Sequence, residues 1–297
     1  MIKLLKFCFF NNVFSQKNKC KVIAYNSYSL FHNNKESLLT KIKWNIGKLL
    51  KIKNFGVYAS FGVSDFIKPK YDSSIKKDSL KKVEQFFKKK KTLRDLESFC
   101  IEQIWIGDLI YDTYLKKYFT YTIDLHSKKF KLFFFECLCN FYFWNEYFKK
   151  NNVKGIAVGH SVYVSGIPSR IADYYNISNF SFEGANFVNG KGKTSFKKRE
   201  NYSGGHFRYY RKLFKKFNKS KAKANIILGK KYLKELIDGK KIYYYLKKTS
   251  FSKKNYNIDY FKQHKKKIKV VIYSHVFTDS PHVYGNHFFP DFNEWFK

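Results

Sequence analysis

The chain has 297 residues and carries 59 Lys+Arg against 22 Asp+Glu, a formal charge of +37. Hydrophobic residues make up 44% and aromatics 21%, enough for a packed core, which excludes wholesale disorder. Fifteen glycines and four prolines are too few for collagen-like or Pro/Gly-linker classes.

In chain order, Met1-Ile2-Lys3-Leu4-Leu5-Lys6-Phe7-Cys8-Phe9-Phe10 has a faint signal-peptide look. Lys6 breaks its apolar run and no small-residue cleavage site follows. Residues 21–25 predict a short buried strand, and 55–63 a strand running into a Gly-containing turn. An exposed Lys-rich helix is expected over 77–91, with cations at its C-terminus. Ile101, Ile104, Trp105, Asp108, Leu109, Asp112 and Leu115 recur at spacings of three and four, which predicts one long helix from Leu93 to about Lys117. Residues 129–149 are aromatic on nearly every face and predict a mostly buried helix.

The clearest unit follows. Val153–Gly159 reads as a strand of parallel-sheet character, His160-Ser161 as the loop after it, and Gly166–Tyr175 as a helix with Pro168 in its first turn. Asn179–Glu183 reads as the next strand, completing a β-loop-α-β unit of a doubly wound sheet. Residues 191–223 hold 13 Lys/Arg against the single acid Glu200, and read as a mobile basic excursion or a surface helix. A short helix over 225–238 stops at Gly239. Residues 267–274 read as the first strand of a new Rossmann-like domain and 291–297 as a capped helix start. The expected organisation is a Rossmann-like domain over 1–239, a linker over 240–266, and the start of a truncated second Rossmann-like domain over 267–297.

The charge points less firmly to nucleic acid than its size suggests. It consists of 54 Lys and only 5 Arg (Arg94, Arg170, Arg199, Arg208, Arg211). Bidentate recognition of phosphate and guanine favours Arg. Lys, Asn, Ile, Phe and Tyr together make 157 residues, and all five have A/T-rich codons, so most of the Lys excess reads as genome bias. The remaining candidate is 191–223, whose interleaved aromatics suit an anionic membrane surface or stacking on nucleic acid; the plainer reading is a solvated loop inflated with Lys. Five cysteines without paired spacing give no disulfide framework, and Cys137-x-Cys139 alone is no zinc site. No stretch reaches the roughly 18 apolar residues of a span. The expected location is cytoplasmic, either soluble or peripheral at the inner face of the plasma membrane.

Three stretches carry a family resemblance. They are Ile106-Gly107-Asp108-Leu109-Ile110-Tyr111-Asp112-Thr113-Tyr114-Leu115, then His160-Ser161-x-Tyr163-x-x-Gly166-Ile167-x-x-Arg170-Ile171-Ala172, then Ser274-His275-x-Phe277-x-Asp279-x-Pro281-His282. Together they resemble bacterial surface-carbohydrate biosynthesis proteins, the capsule- and lipopolysaccharide-type glycosyltransferase-like proteins of GT-B architecture, over roughly residues 20–297 and only the N-terminal half of such a protein. The resemblance implies two facing Rossmann-like domains and sugar transfer from a nucleotide-sugar donor to a glycan or lipid-linked acceptor, with no essential metal and no further cofactor. It also implies that most donor contacts come from the C-terminal domain, so this chain alone is expected to be inactive, whether as a fragment, as an inert frameshifted or truncated product, or as half of a split enzyme with a complementing C-terminal half. The alternative from another class is a non-catalytic basic protein that binds nucleic acid or an anionic membrane.

The candidate site residues follow from position. His160 and Ser161 lie beyond the carboxyl end of a predicted strand, where open α/β sheets bind ligands. His160 is a general base, an acceptor ligand, or a loop histidine satisfied by backbone. Arg170 holds a phosphate or carboxylate of the substrate, or pairs with Asp173 or a helix-facing acid. Glu183 is a cleft carboxylate or a plain strand-end acid. Asp108 and Asp112, four apart, share one helix face, which suits acid/base work or a cation site; for Asp112 a pair with Lys116 is the expected arrangement, while Asp108 stands among apolar neighbours. His275, Asp279, His282 and His287 form the densest ionisable cluster, and Pro281 rules out a zinc helix across them. The expected catalytic set is His160, His275 and Asp279; the expected substrate-binding set is Ser161, Arg170, Glu183, His282 and Asp108. GxGxxG, GxxxxGK[ST], GxSxG and a DxD metal motif are all absent from the sequence.

Overall fold

A computed structural model of the chain describes residues 2–25, 42, 46–47, 49–50, 58, 60–67, 69–88, 92–158, 162–183, 186–189, 214–240, 268 and 278–284. The fold is mixed α/β, mostly helical, with a few short strands and parallel pairing in two places. The chain divides into two compact units, one of residues 1–204 with 276–297 and one of residues 205–275.

The first unit begins with α1 (Ile2–Lys17) and β1 (Val22–Tyr25). β1 pairs in parallel with β2 (Val63–Ile67). Of the strand expected over 55–63, residues 55–57 and 59 lie outside the described residues, and the described strand starts only at Val63. Tyr58 and Ser60 are helical, and Gly62, with φ +80, turns the backbone so that pairing starts at Val63. That left-handed conformation suits a glycine, which has no Cβ to clash.

α2 (Ser73–Phe87) starts at Asp72, whose side chain accepts the Ile75 amide. The long helix expected from Leu93 to Lys117 is broken into three pieces. α3 (Leu93–Glu97) is fixed by a capping box in which Thr92 and Asp95 satisfy each other's backbone amides. A two-residue-per-strand hairpin follows, β3 (Cys100–Ile101) and β4 (Ile104–Trp105), turned by Glu102 and Gln103, both at positive φ. α4 (Gly107–Tyr118) then begins. Ile101, Ile104 and Trp105 are buried as the period predicts, but from a hairpin whose apolar residues merely coincide with helical spacing. The breakpoint is set by close packing. A Cβ on Gly107 would collide with the Leu96 and Glu97 carbonyls and the Phe99 amide.

α5 (Lys128–Lys150) is capped by Ser127, which accepts the Phe130 amide. Its buried face (Phe130, Phe133, Phe134, Leu138, Phe141, Trp144) forms the centre of the core, with Ile110, Tyr111, Tyr114 and Leu115 of α4 and Phe86 of α2 against it. Leu132 is exposed, so the helix is one-sided rather than buried all round. Cys137 and Cys139 are buried free thiols in this helix, while Cys100 is exposed.

β5 (Gly155–Val158), α6 (Ile167–Tyr174) and β6 (Ser178–Glu183) make a parallel crossover, and β7 (Asn186–Asn189) adds an antiparallel edge. Pro168 occupies the first turn of α6, where its missing N–H costs nothing. Ser169 of α6 and Asn179 of β6 are hydrogen-bonded and buried, tying helix to strand. α1 closes over this sheet: Phe10 and Phe14 meet the Phe180 ring edge-on, at 4.8 and 5.2 Å between centroids. Gly155 leaves room for that approach, since a Cβ there would lie 2.8 Å from the Phe14 ring.

In the second unit the described structure is a helical turn at Phe214 and Lys215 and then α7 (Lys219–Ile237), capped by Asn218 and ended by Gly239 at φ +70. No helix among the described residues is long and apolar enough to cross a membrane. The strand expected over 267–274 and the helix start over 291–297 lie outside the described residues, apart from Ile268, as does all of 191–213.

Candidate functional site

The three stretches that carry the resemblance meet on α4. Its residues face two other parts of the first unit: the loop-helix stretch 162–174 and the 3-10 turn at Pro281–Tyr284 with the residues just before it.

The first contact is a buried ion pair. Arg170 of α6 grips Asp108 of α4 with both arms, Nη1 to Oδ1 at 2.5 Å and Nη2 to Oδ2 at 2.6 Å. Nη1 also donates to the Trp105 carbonyl at 2.6 Å, and the guanidinium lies 4.6 Å from the centroid of the Trp105 ring. Arg170 is 2% exposed and Asp108 4%. Lysine cannot supply this planar fork. Of the readings for Arg170, the pair with a helix-facing acid is present, and that acid is Asp108. Asp108 sits in the first turn of α4, where a carboxylate also meets the positive end of the helix dipole.

The second contact is a histidine between two carboxylates. His282 Nδ1 lies 2.5 Å from Asp112 Oδ1, and Nε2 lies 2.9 Å from Glu97 Oε1. Its backbone amide donates to Asp112 Oδ2 at 3.2 Å, and its ring meets Tyr111 edge-on at 4.9 Å. His282 is 4% exposed. Burial opposes its charged form, but the Asp112 charge and the hydrogen bonds to Asp112 and Glu97 outweigh that and raise its pKa from 6.5 to about 10. Both ring nitrogens therefore donate, and the imidazolium is an ionic clamp rather than a base at neutral pH. Burial pushes Glu97 up, but the His282 hydrogen bond and charge, helped by Arg94, hold it below the usual carboxylate range. Asp112 thus binds His282, and the expected Asp112–Lys116 pair is replaced: the salt bridge of Lys116 is with Asp279. The reason is burial, because Asp112 faces the interior while Lys116 lies nearer solvent.

The third contact is open to solvent. The Tyr163 hydroxyl donates to Asp279 Oδ1 at 2.7 Å, and Lys116 Nζ approaches the same oxygen at 3.4 Å. The Asp279 side chain is 55% exposed. Burial pushes the Tyr163 phenol far up, so it remains a donor. Tyr163 has φ 58 and ψ −173, a backbone region populated almost only by glycine, and Ser280 has φ 51. Such conformations cost about 1–3 kcal/mol each and persist where surrounding contacts over-determine them. One of those contacts is the Val164 amide donating to Thr113 Oγ1 of α4 at 2.8 Å.

The structure therefore brings together Asp108, Arg170, His282 and Asp279 of the eight residues named from sequence. His160, Ser161 and His275 lie outside the described residues, as does His287; Glu183 ends β6, where only the backbone is described. The residues that sequence reasoning missed are Glu97, Thr113 and the Tyr163 contact with Asp279. Glu97 sits in a five-residue helix beside a Lys run, and its only sequence signal is the capping box that starts that helix. Among the described residues no group of three or more His, Cys, Asp or Glu is arranged to hold a metal ion. Chemically, the arrangement offers one accessible carboxylate, Asp279, held by a phenol and an ammonium, above two buried ionic contacts that fix its supports. No protein-family model matches the chain, and comparison with curated proteins and with solved structures finds no match.

Proposed function

We propose that the chain is the N-terminal, acceptor-side Rossmann-like part of a GT-B-like glycosyltransferase of bacterial surface-polysaccharide assembly. The observation that carries this reading is the convergence on α4: three stretches far apart in sequence, singled out for one resemblance, share a single network through Asp108–Arg170, Asp112–His282 and Tyr163–Asp279. The parallel β5–α6–β6 crossover gives it further support, because a doubly wound sheet is assembled from such units.

In this reading Asp279 is the general base. Its carboxylate accepts the proton of an acceptor hydroxyl as that oxygen attacks the anomeric carbon of the donor sugar, while the bond to the nucleotide phosphate breaks. Tyr163 and Lys116 fix the carboxylate's position, and Lys116 stabilises its charge. Arg170 and His282 act through the scaffold, since both are buried in ion pairs within the chain. The nucleotide-sugar contacts belong to a complementing half.

Saturation-transfer NMR on the purified chain tests the reading, with capsular and lipopolysaccharide oligosaccharides and with UDP-, GDP- and CMP-sugars as probes. The expected result is binding of a glycan or sugar that Asp279→Asn weakens. Failure of every sugar probe, together with tight and steeply salt-dependent binding of an arbitrary oligonucleotide, favours the basic binding protein instead.

A further inference from the structure

The second unit holds an exposed apolar face on a cationic helix. Residues 205–275 carry 22 Lys/Arg against three acids, so about a quarter of the chain supplies roughly half of its net charge. Within α7 there are six lysines and one acid, Glu235. At 3.6 residues per turn, Leu228, Tyr232, Leu233, Ile226 and Ile237 fall within about half of the helix circumference. The other half holds Lys223, Lys230, Lys231 and Lys234. Leu236, in the middle of the apolar half, is buried, but the residues to either side of it are exposed: Leu228 is 64% exposed and Leu233 56%, and Ile226 and Ile237 are exposed as well. Ile227, 60% exposed, stands among the lysines.

A solvated helix has no use for this pattern, and exposed apolar patches rimmed by charge mark contact surfaces. We propose that α7 is an in-plane membrane-binding helix that lays its Ile226–Leu233–Ile237 face into an anionic bilayer surface. The lysines flanking that face reach up their aliphatic stems to the headgroups, each attracted by about 1 kcal/mol near such a surface. Charge decides among the possible occupants. A second copy of the same face brings six more lysines against it, which like-charge repulsion disfavours. Nucleic acid satisfies lysines but offers nothing to exposed Ile and Leu, and the stacking platforms of nucleic-acid binders are aromatic. An acidic lipid surface satisfies both halves at once. This contact lies mostly beyond 191–223, the segment that the basic composition singled out. The inference stands apart from sugar transfer, and either can fail alone because vesicles and sugars are separate probes.

The experiment is co-sedimentation of the full chain with vesicles of phosphatidylcholine and with vesicles of phosphatidylcholine mixed with phosphatidylglycerol. Ile226→Ala, Leu233→Ala and Ile237→Ala are combined in one variant, because Ala preserves helix propensity while removing apolar area. Wild type is expected to sediment with the phosphatidylglycerol vesicles and weakly with the neutral ones, and the triple variant to bind about ten-fold or more weakly with unchanged helical circular dichroism. Wild type that stays in the supernatant, or a triple variant that binds as well as wild type, overturns the proposal. So does a change confined to self-association or to oligonucleotide binding.

Discussion

α4 and α7 are built from the same biased alphabet and use it in opposite ways. Around α4 the charged residues are few, buried and matched: Asp108 with Arg170, His282 between Asp112 and Glu97. On α7 the charges are many, exposed and, Glu235 apart, of one sign, and the large apolar side chains other than Leu236 are exposed with them. Arginine marks the difference. Only five of the 59 cationic residues are arginine, and the two that the structure describes, Arg94 and Arg170, both bind carboxylates of the α4 network. A composition that writes Lys wherever solvent tolerates a cation departs from that habit where a planar, bidentate donor is required.

The largest expected effect breaks the α4 side of this contrast. Arg170→Met leaves Asp108 buried without its partner and is expected to cost about 3–5 kcal/mol in urea unfolding. The double variant Asp108→Leu/Arg170→Met is expected to recover most of that loss, because no orphaned charge remains; a double variant as unstable as Arg170→Met alone would show that the orphaned Asp108 charge is not the cause of the loss.

His282→Gln comes next. It replaces a charged donor between two carboxylates and is expected to cost about 1.5–3 kcal/mol, read most directly as faster hydrogen exchange at 278–284. The pH dependence has a definite sign. Because the folded pKa of His282 lies above 6.5, folding favours its protonated form, so the contribution is complete below about 6.5 and is lost as pH rises through about 10. Glu97 acts in the opposite direction at the acid end: with its folded value below the ordinary one, its contribution is present above that ordinary value and is lost as pH falls through the depressed one. Burial pushes the Asp112 carboxyl up, which opposes the acid-side effect of Glu97, so the definite expectation is alkaline: wild type should lose protection at 278–284 as pH rises through about 10, and the Gln variant should lack that loss.

Gly107→Ala sharpens the contrast through backbone rather than charge. Its Cβ has no space against the Leu96 and Glu97 carbonyls, and a loss of about 1–3 kcal/mol in chemical unfolding is expected. The smallest effect lies on α7. Ile227→Ser removes a large apolar side chain from a site 60% exposed, and folding stability is expected to stay within about 0.5 kcal/mol of wild type. A larger loss would mean that α7 is packed in solution.

Much of the fold is legible in the sequence where one signal acts alone. Pro168, the apolar run of β5 and the aromatic stripe of α5 each announce their element, and Gly239 ends α7 as expected. The α3–hairpin–α4 break is not legible, because Ile101, Ile104 and Trp105 mimic helical spacing while the deciding contact, the Gly107 backbone against α3, involves no side chain. The rarity of Arg170 identifies it as special, but its partner is 62 residues away, beyond what spacing reveals. The same limit explains the mistaken Asp112–Lys116 pair: sequence offers the neighbour four residues on, whereas His282 arrives from 170 residues away.

The central claim, that the stretches converge on α4 through a buried imidazolium, is tested most directly by ring 15N NMR of His282, assigned by comparison with His282→Gln. At pH 8 the account predicts both ring nitrogens protonated and a titration midpoint near 10. A neutral ring at pH 8 that titrates near 6.5, as an exposed histidine does, would contradict it.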